Sequence, residues 1–207
     1  MGRKQQARNA LLALAGMLVA LSFAHDTQAA TRSRVRGTVV SFDKSTLTVK
    51  TQEGKDVSVA LAPDWTARGR YKVTAADIKP GDFVGIASQP GAGGVNGALE
   101  VVVFPAAMKG TGEGDRPWFG KPNSSMTNAT VTNAVKSVDG PTLTLTYKGG
   151  ERKIAIPQGT PIVTLGPASK DEVKAGATVL VSGDANSDGS ISSKQVDVEE
   201  SGRLPPT

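Results

Sequence analysis

Thr46-Leu47-Thr48-Val49 returns as Thr142-Leu143-Thr144-Leu145, 96 positions further along the chain. Both runs alternate an apolar side chain with a threonine, the period of two that turns one face of a strand to a core and the other to water. Asp43 has Asp139 at the same offset. Further out, Ile78, Gly81, Val84, Ile86, Val101 and Val103 have Val173, Gly176, Val179, Val181, Val196 and Val198, each 95 positions on. An offset that drifts by one over so long a span marks a duplicated unit, residues 35–104 and 131–199, with an indel between the ends.

Each copy reads as five strands. In the first they are 35–42, 46–51, a run through Val57, Val59 and Leu61, then 83–88 and 98–104; in the second, 130–138, 142–147, 151–156, 178–182 and 191–199. Between the third and fourth, Thr74 precedes Asp77 by three residues and Pro80-Gly81 follows, which predicts one capped helical turn. A similar turn is expected at 169–174. Five strands with a helical insertion after the third is the order of a small OB-like barrel. The expected architecture is therefore all-β, with two tandem five-stranded OB-like barrels, each folded from its own copy. The expected boundaries are 31–105 and 129–200, with a Gly/Pro-rich linker at 106–128 and a tail at 201–207. Aromatic residues are 4% of the chain, so valine, isoleucine and leucine must fill the barrels. Two such small units are each marginal alone, and mutual packing is expected.

Residues 1–30 have the three zones of a secretory signal: Arg3, Lys4 and Arg8, then an apolar run over 10–24, then small residues around Ala29 and Ala30. The run is shorter than the ~20 residues of a membrane-spanning helix. Cleavage would leave a periplasmic or secreted protein with no stable membrane insertion. It would also lower the formal charge from +5 to +3, because three basic residues and one acid leave with it. So small a surplus does not predict a nucleic-acid partner, which needs a concentrated basic face.

The chain has no cysteine, and its one histidine, His25, falls in the leader. Disulfides, Cys/His zinc sites, Ser-His-Asp triads and thiol nucleophiles are thereby closed to the mature protein. The sequence predicts no enzyme. Carboxylate-only chemistry on envelope glycans remains an alternative, although no Asp/Glu pair stands out.

Three places offer binding chemistry. Trp65, Arg68, Arg70 and Tyr71, with Lys72, form a basic and aromatic cluster expected in the loop between the third and fourth strands, where rings and guanidinium groups could hold a sugar or an anion. The competing reading is that the rings cap a barrel while the charges stay solvated. Arg116, Trp118 and Phe119 place an apolar centre in the linker, either docked between the barrels or exposed to grip a partner. Asp184, Asn186 and Asp188, ahead of Gly189, match the first half of a calcium loop, but Gln195 stands at its twelfth position. A polar hairpin turn explains the same residues. No cofactor is expected beyond that possible calcium.

With the repeats, the leader and the strings GTGEGDRPW (110–118) and SSMTNATV (124–131) in view, the chain resembles a family of exported proteobacterial proteins of unknown function with tandem OB-like repeats. Some members of that family carry the label of a metal transporter permease, which nothing in this sequence supports. The resemblance implies a fold and no activity. The resulting expectation is a non-catalytic envelope module that binds a ligand, a glycan or an envelope protein, with a calcium- or metal-responsive binding module as the alternative. The sequence leaves its specificity and oligomeric state open.

Overall fold

Alternation carries directly into strands. In a computed structural model, which describes residues 31–200 apart from Gly120, Arg32–Asp43 (β1), Thr46–Thr51 (β2) and Asp56–Lys72 (β3) form an antiparallel meander. Leu47, Val49 and Val59 are fully buried, as the period of two requires. Strand β1 coils so tightly over β2 that a Cβ on Gly37 would lie 2.0 Å from the Lys50 carbonyl oxygen. The expected signal peptide at 1–30 and the tail at 201–207 lie outside the described residues.

The strands that close this meander come from the other copy. Thr178–Ala185 (β11) pairs antiparallel with β1, Ile191–Glu200 (β12) pairs with β11, and β12 returns beside β3 in parallel. The ring β1-β2-β3-β12-β11 is a closed five-stranded barrel. A second ring joins Ser125–Val135 (β7), Thr142–Tyr147 (β8) and Gly150–Ala155 (β9) to Phe83–Pro90 (β4) and Asn96–Val103 (β5) of the first copy. It closes by a short parallel contact, Asn96 beside Ile154 and Gly97 beside Ala155.

The all-β fold and the five-stranded order thus stand, but 31–105 and 129–200 do not bound the barrels. Each barrel takes its first three strands from one copy and its last two from the other. The hydrophobic cores show the same exchange. Val35, Leu47 and Val59 pack with Val179, Val181 and Val196, while Leu143, Leu145 and Ile154 pack with Val84, Ile86 and Val101. Because the two copies have nearly the same apolar pattern, the fourth and fifth strands of either fit the first three of either. Local sequence cannot choose between them.

What chooses is β3. It continues past Leu61 to Lys72, and its second half pairs antiparallel with Ile162–Pro167 (β10), a strand that the sequence pattern did not reveal. In the second copy Pro157 and Pro161 split the equivalent of β3 into β9 and β10, since proline has no donor for a ladder. Arg70 lies opposite Leu165 in the β3–β10 pair, and these two positions are equivalent in the repeat. A pseudo-twofold axis therefore passes between them, and the chain crosses from one barrel to the other beside it.

Register corrects the repeat alignment as well. Val39 pairs with Val49 just as Val131 pairs with Leu145, and a bulge follows at the same place in both hairpins. Val131 is therefore the counterpart of Val39, 92 positions on, rather than of Val35. The β7–β8 connection at 136–141 is longer than its counterpart at Lys44-Ser45, and Asp139 in it has no equivalent. The two predicted helical turns are present as Ala75–Asp77 and Lys170–Glu172, and in both the acid three residues on accepts a hydrogen bond from the cap backbone N–H.

The linker is more ordered than its composition suggests. Gly114–Pro117 (β6) adds antiparallel to β7, from Gly114 opposite Asn128 to Pro117 opposite Ser125. Asn128 Nδ2 donates to the Thr111 carbonyl at 2.9 Å, and Asp115 accepts from Thr127 Oγ1 at 2.7 Å while pairing with Arg152 at 2.9 Å. Among the described residues, no helix is long and apolar enough to cross a membrane.

Candidate functional site

The second half of β3 runs between β12 and β10, so its outward side chains enter the seam between the barrels. Arg68 grips Asp197 with two hydrogen bonds, Nε to Oδ1 at 3.0 Å and Nη2 to Oδ2 at 2.7 Å. Gln195 adds a third donor to Asp197 at 2.6 Å. Arg70, 6% exposed, donates through Nη2 to Glu100 and holds Nη1 3.9 Å from Asp197. Arg34 on β1 meets the other oxygen of Glu100 at 2.8 Å, and Arg36 holds Glu199 through Nε at 2.7 Å and Nη2 at 2.8 Å. The result is a chain of ion pairs crossing strands β1, β3, β5 and β12.

Beside it lies a cavity of about 320 Å³. Arg34, Arg36, Arg70 and Lys72 face it together with Glu100 and Glu199, and residues 160–163, leading into β10, form the less polar wall. Four cations against two carboxylates leave the lining positive. Arg70 also keeps a buried Nε with no hydrogen-bond partner, and an unsatisfied buried donor of that kind costs about 1–3 kcal/mol or more.

The pseudo-twofold supplies an internal comparison. The positions equivalent to Arg68, Arg70 and Lys72 are Val163, Leu165 and Pro167; those equivalent to Arg34 and Arg36 are Met126 and Asn128; Asp197 and Glu199 correspond to Val102 and Phe104, and Glu100 to Gln195. The same scaffold thus carries charge on one side of the axis and mostly apolar or neutral residues on the other. The scaffold therefore accommodates apolar residues at the equivalent positions.

Glu100 shows how the seam holds its ions. Burial pushes its carboxyl upward and is the largest single influence, yet the Arg34 and Arg70 charges and their hydrogen bonds outweigh it and hold the group below its ordinary value of 4.5. A carboxyl whose folded pKa is depressed contributes stability above its unfolded pKa and loses it as pH falls through the folded one. Melting temperature followed from pH 6 downward will therefore fall less steeply below about pH 4.5 in Glu100→Gln than in the parent chain. Equal slopes would show that the pairing contributes nothing.

The residues expected to bind divide among three places. Arg68 and Arg70 lie on β3 rather than in a loop, and they are paired rather than solvated. Trp65 and Tyr71 are on the same strand and buried: Trp65 meets Phe42 edge-on with ring centroids 5.6 Å apart, and Tyr71 donates its hydroxyl to the Pro167 carbonyl at 2.8 Å. Both rings are packed into the fold, and Lys170 lies 4.8 Å over the Trp65 ring. In the linker, Arg116 donates to the Gly112 carbonyl at 2.7 Å. Trp118 is half-buried with Arg34 stacked 5.2 Å from its ring, whereas Phe119 is 49% exposed. The tryptophan is docked and the phenylalanine is not. All three line a shallow groove of about 870 Å³, as does Arg152.

In the β11–β12 turn, Asp184 pairs with Arg32 at 3.1 Å, Asn186 bonds Ser190 and Ser192, and Asp188 accepts from the backbone and hydroxyl of Ser190. Their side chains have separate partners, Asp184 on β1 and the other two within the hairpin. Among the described residues, no group of three or more His, Cys, Asp or Glu side chains is placed to hold a metal ion.

Sequence reasoning missed Arg34, Arg36, Glu100, Asp197 and Glu199. A signal was there: Arg32, Arg34 and Arg36 alternate along β1, and Asp197 and Glu199 along β12, so each set lies on one strand face. That these faces meet is a matter of strand exchange. Comparison of the chain with protein-family models, with curated proteins and with solved structures finds no match.

Proposed function

We propose that this chain is an exported, non-catalytic binding module whose ligand site is the cavity at the charged seam. The observation that carries the reading is the asymmetry across the pseudo-twofold. A buried ion-pair network is at best weakly stabilising compared with apolar packing of the same shape, and the equivalent half of this fold uses mainly apolar residues there. Residues retained against that tendency, beside a cavity, have a use other than folding. Export rests on the leader at 1–30. The absence of cysteine and histidine from the mature sequence, with Glu100, Asp197 and Glu199 each held by arginine, favours binding over catalysis.

A ligand that binds only the native form raises its melting temperature. The small-molecule fraction of a cell-envelope extract will raise the melting temperature of the full mature chain, and the double variant Arg36→Ala/Lys72→Ala will lose that rise. A parent chain unmoved by the extract, or a double variant that responds equally, would end this assignment.

A further inference from the structure

Building on the seam as a binding site, we infer that it takes a small molecule of about sugar size bearing an oxyanion, a carboxylate or a phosphate monoester, with Lys72 as its principal charge partner. Among the lining cations, Arg34 and Arg36 each have a carboxylate of their own to bond, Glu100 and Glu199, and Arg70 shares Glu100. Among the described residues Lys72 has no hydrogen-bond or ion-pair partner for its ammonium, and it is exposed. It is the ammonium left over when the pairs are counted, on a strand whose neighbouring Arg70 keeps an unmet Nε. An incoming oxyanion answers that positive surplus in a partly desolvated place, where charge-assisted hydrogen bonds are strongest.

Size and the second wall narrow the ligand. A cavity of about 320 Å³ is at the small end for a ligand pocket, and it admits a monosaccharide-sized body rather than a polymer. The formal surplus of +3 left after the leader gives no extended cationic track for a polyanion. Beside the cations, Pro161, Ile162 and Val163 offer apolar contact, Val163 pairing with Lys72 in the ladder, and the Thr160 hydroxyl, which donates to the Pro157 carbonyl at 2.7 Å, can accept a hydrogen bond. A ring with one apolar face and one charged substituent matches both walls. At the pseudo-equivalent place Pro167 stands for Lys72 and Leu165 for Arg70, so the second half of the molecule has no such site.

Calorimetric titration of the full mature chain tests this with four probes: glucuronate, glucose 6-phosphate, inorganic phosphate and glucose. Glucuronate or glucose 6-phosphate, or both, will bind saturably with Kd below about 1 mM. Glucose will not, and added salt will weaken the binding. A response to glucuronate alone identifies a carboxylate ligand; a response to glucose 6-phosphate and inorganic phosphate identifies a phosphate. Lys72→Gln, a surface change that leaves the ion pairs intact, will weaken binding at least tenfold at an unchanged melting temperature. Arg70→Leu, which copies the other half, will abolish it. Glucose binding as well as the acids, Lys72→Gln binding as well as the parent, or no heat from any anion would each overturn the inference. If the envelope extract still raised the melting temperature, the binding module would survive with a different ligand.

Discussion

A fragment ending at residue 105 will not fold as a monomer. In a tandem arrangement it would be a whole barrel, but here β1, β2 and β3 find their closing strands, β11 and β12, beyond that point. The fragment loses Val173, Val179, Val181, Ile191, Val196 and Val198 from the core it shares with Val39, Leu47 and Val49. Each buried side chain of this kind contributes about 1.5 kcal/mol or more, so the six together rival the ~5–15 kcal/mol that holds a whole domain folded. The fragment's own β4 and β5 could replace them only if the chain at residues 73–82 turned back instead of crossing. Strand β3, running on to Lys72 beside β10, directs it across. Fragments 31–105 and 106–207 mixed in equal amounts will recover cooperative unfolding, and any folded material from 31–105 alone will elute at twice its mass, as a strand-exchanged pair does. A folded monomer of 31–105, seen by gel filtration and near-ultraviolet circular dichroism, would show that each copy can close on itself.

The seam gives the second large effect. Asp197→Ala removes the carboxylate that Arg68 holds bidentately and that lies near Arg70, leaving buried positive charge with one anion fewer. Breaking a buried pair in this way costs about 3–5 kcal/mol. The triple variant Arg68→Val/Arg70→Leu/Asp197→Val installs the residues that the other half uses at the same positions, Val163, Leu165 and Val102. It will lie within about 1–2 kcal/mol of the parent chain or above it, because apolar packing replaces ions that needed desolvation. Glu100 keeps Arg34 as its partner in that variant. Denaturant midpoints with unchanged slopes measure both changes. A triple variant as unstable as Asp197→Ala would make the network a requirement of the fold and would remove the main support for a ligand site.

These outcomes separate what was readable in the chain from what was not. The buried positions of β2 and β8 follow from threonine alternating with leucine or valine, and burial at Leu47, Val49, Leu143 and Leu145 needs nothing else. The capped turns after Thr74 and Ser169 are equally local. The loop expected at 65–72 proved to be strand, because Trp65 and Tyr71 are recruited by packing that no window of a few residues contains. β10 escaped notice for the same reason: its partners, β3 and β5, are both remote in sequence.

Composition and periodicity by themselves determined that this protein is all-β, that the apolar alternation of 46–49 recurs at 142–145, and that residues 31–207 hold neither histidine nor cysteine. Tertiary structure alone decided which strands share a barrel, and hence that arginines of β1 and β3 meet carboxylates of β5 and β12 around one cavity. The physical reason is degeneracy: two copies with the same inward pattern can pair within or across at nearly equal local energy. The long-range contact of β3 with β10 breaks that tie.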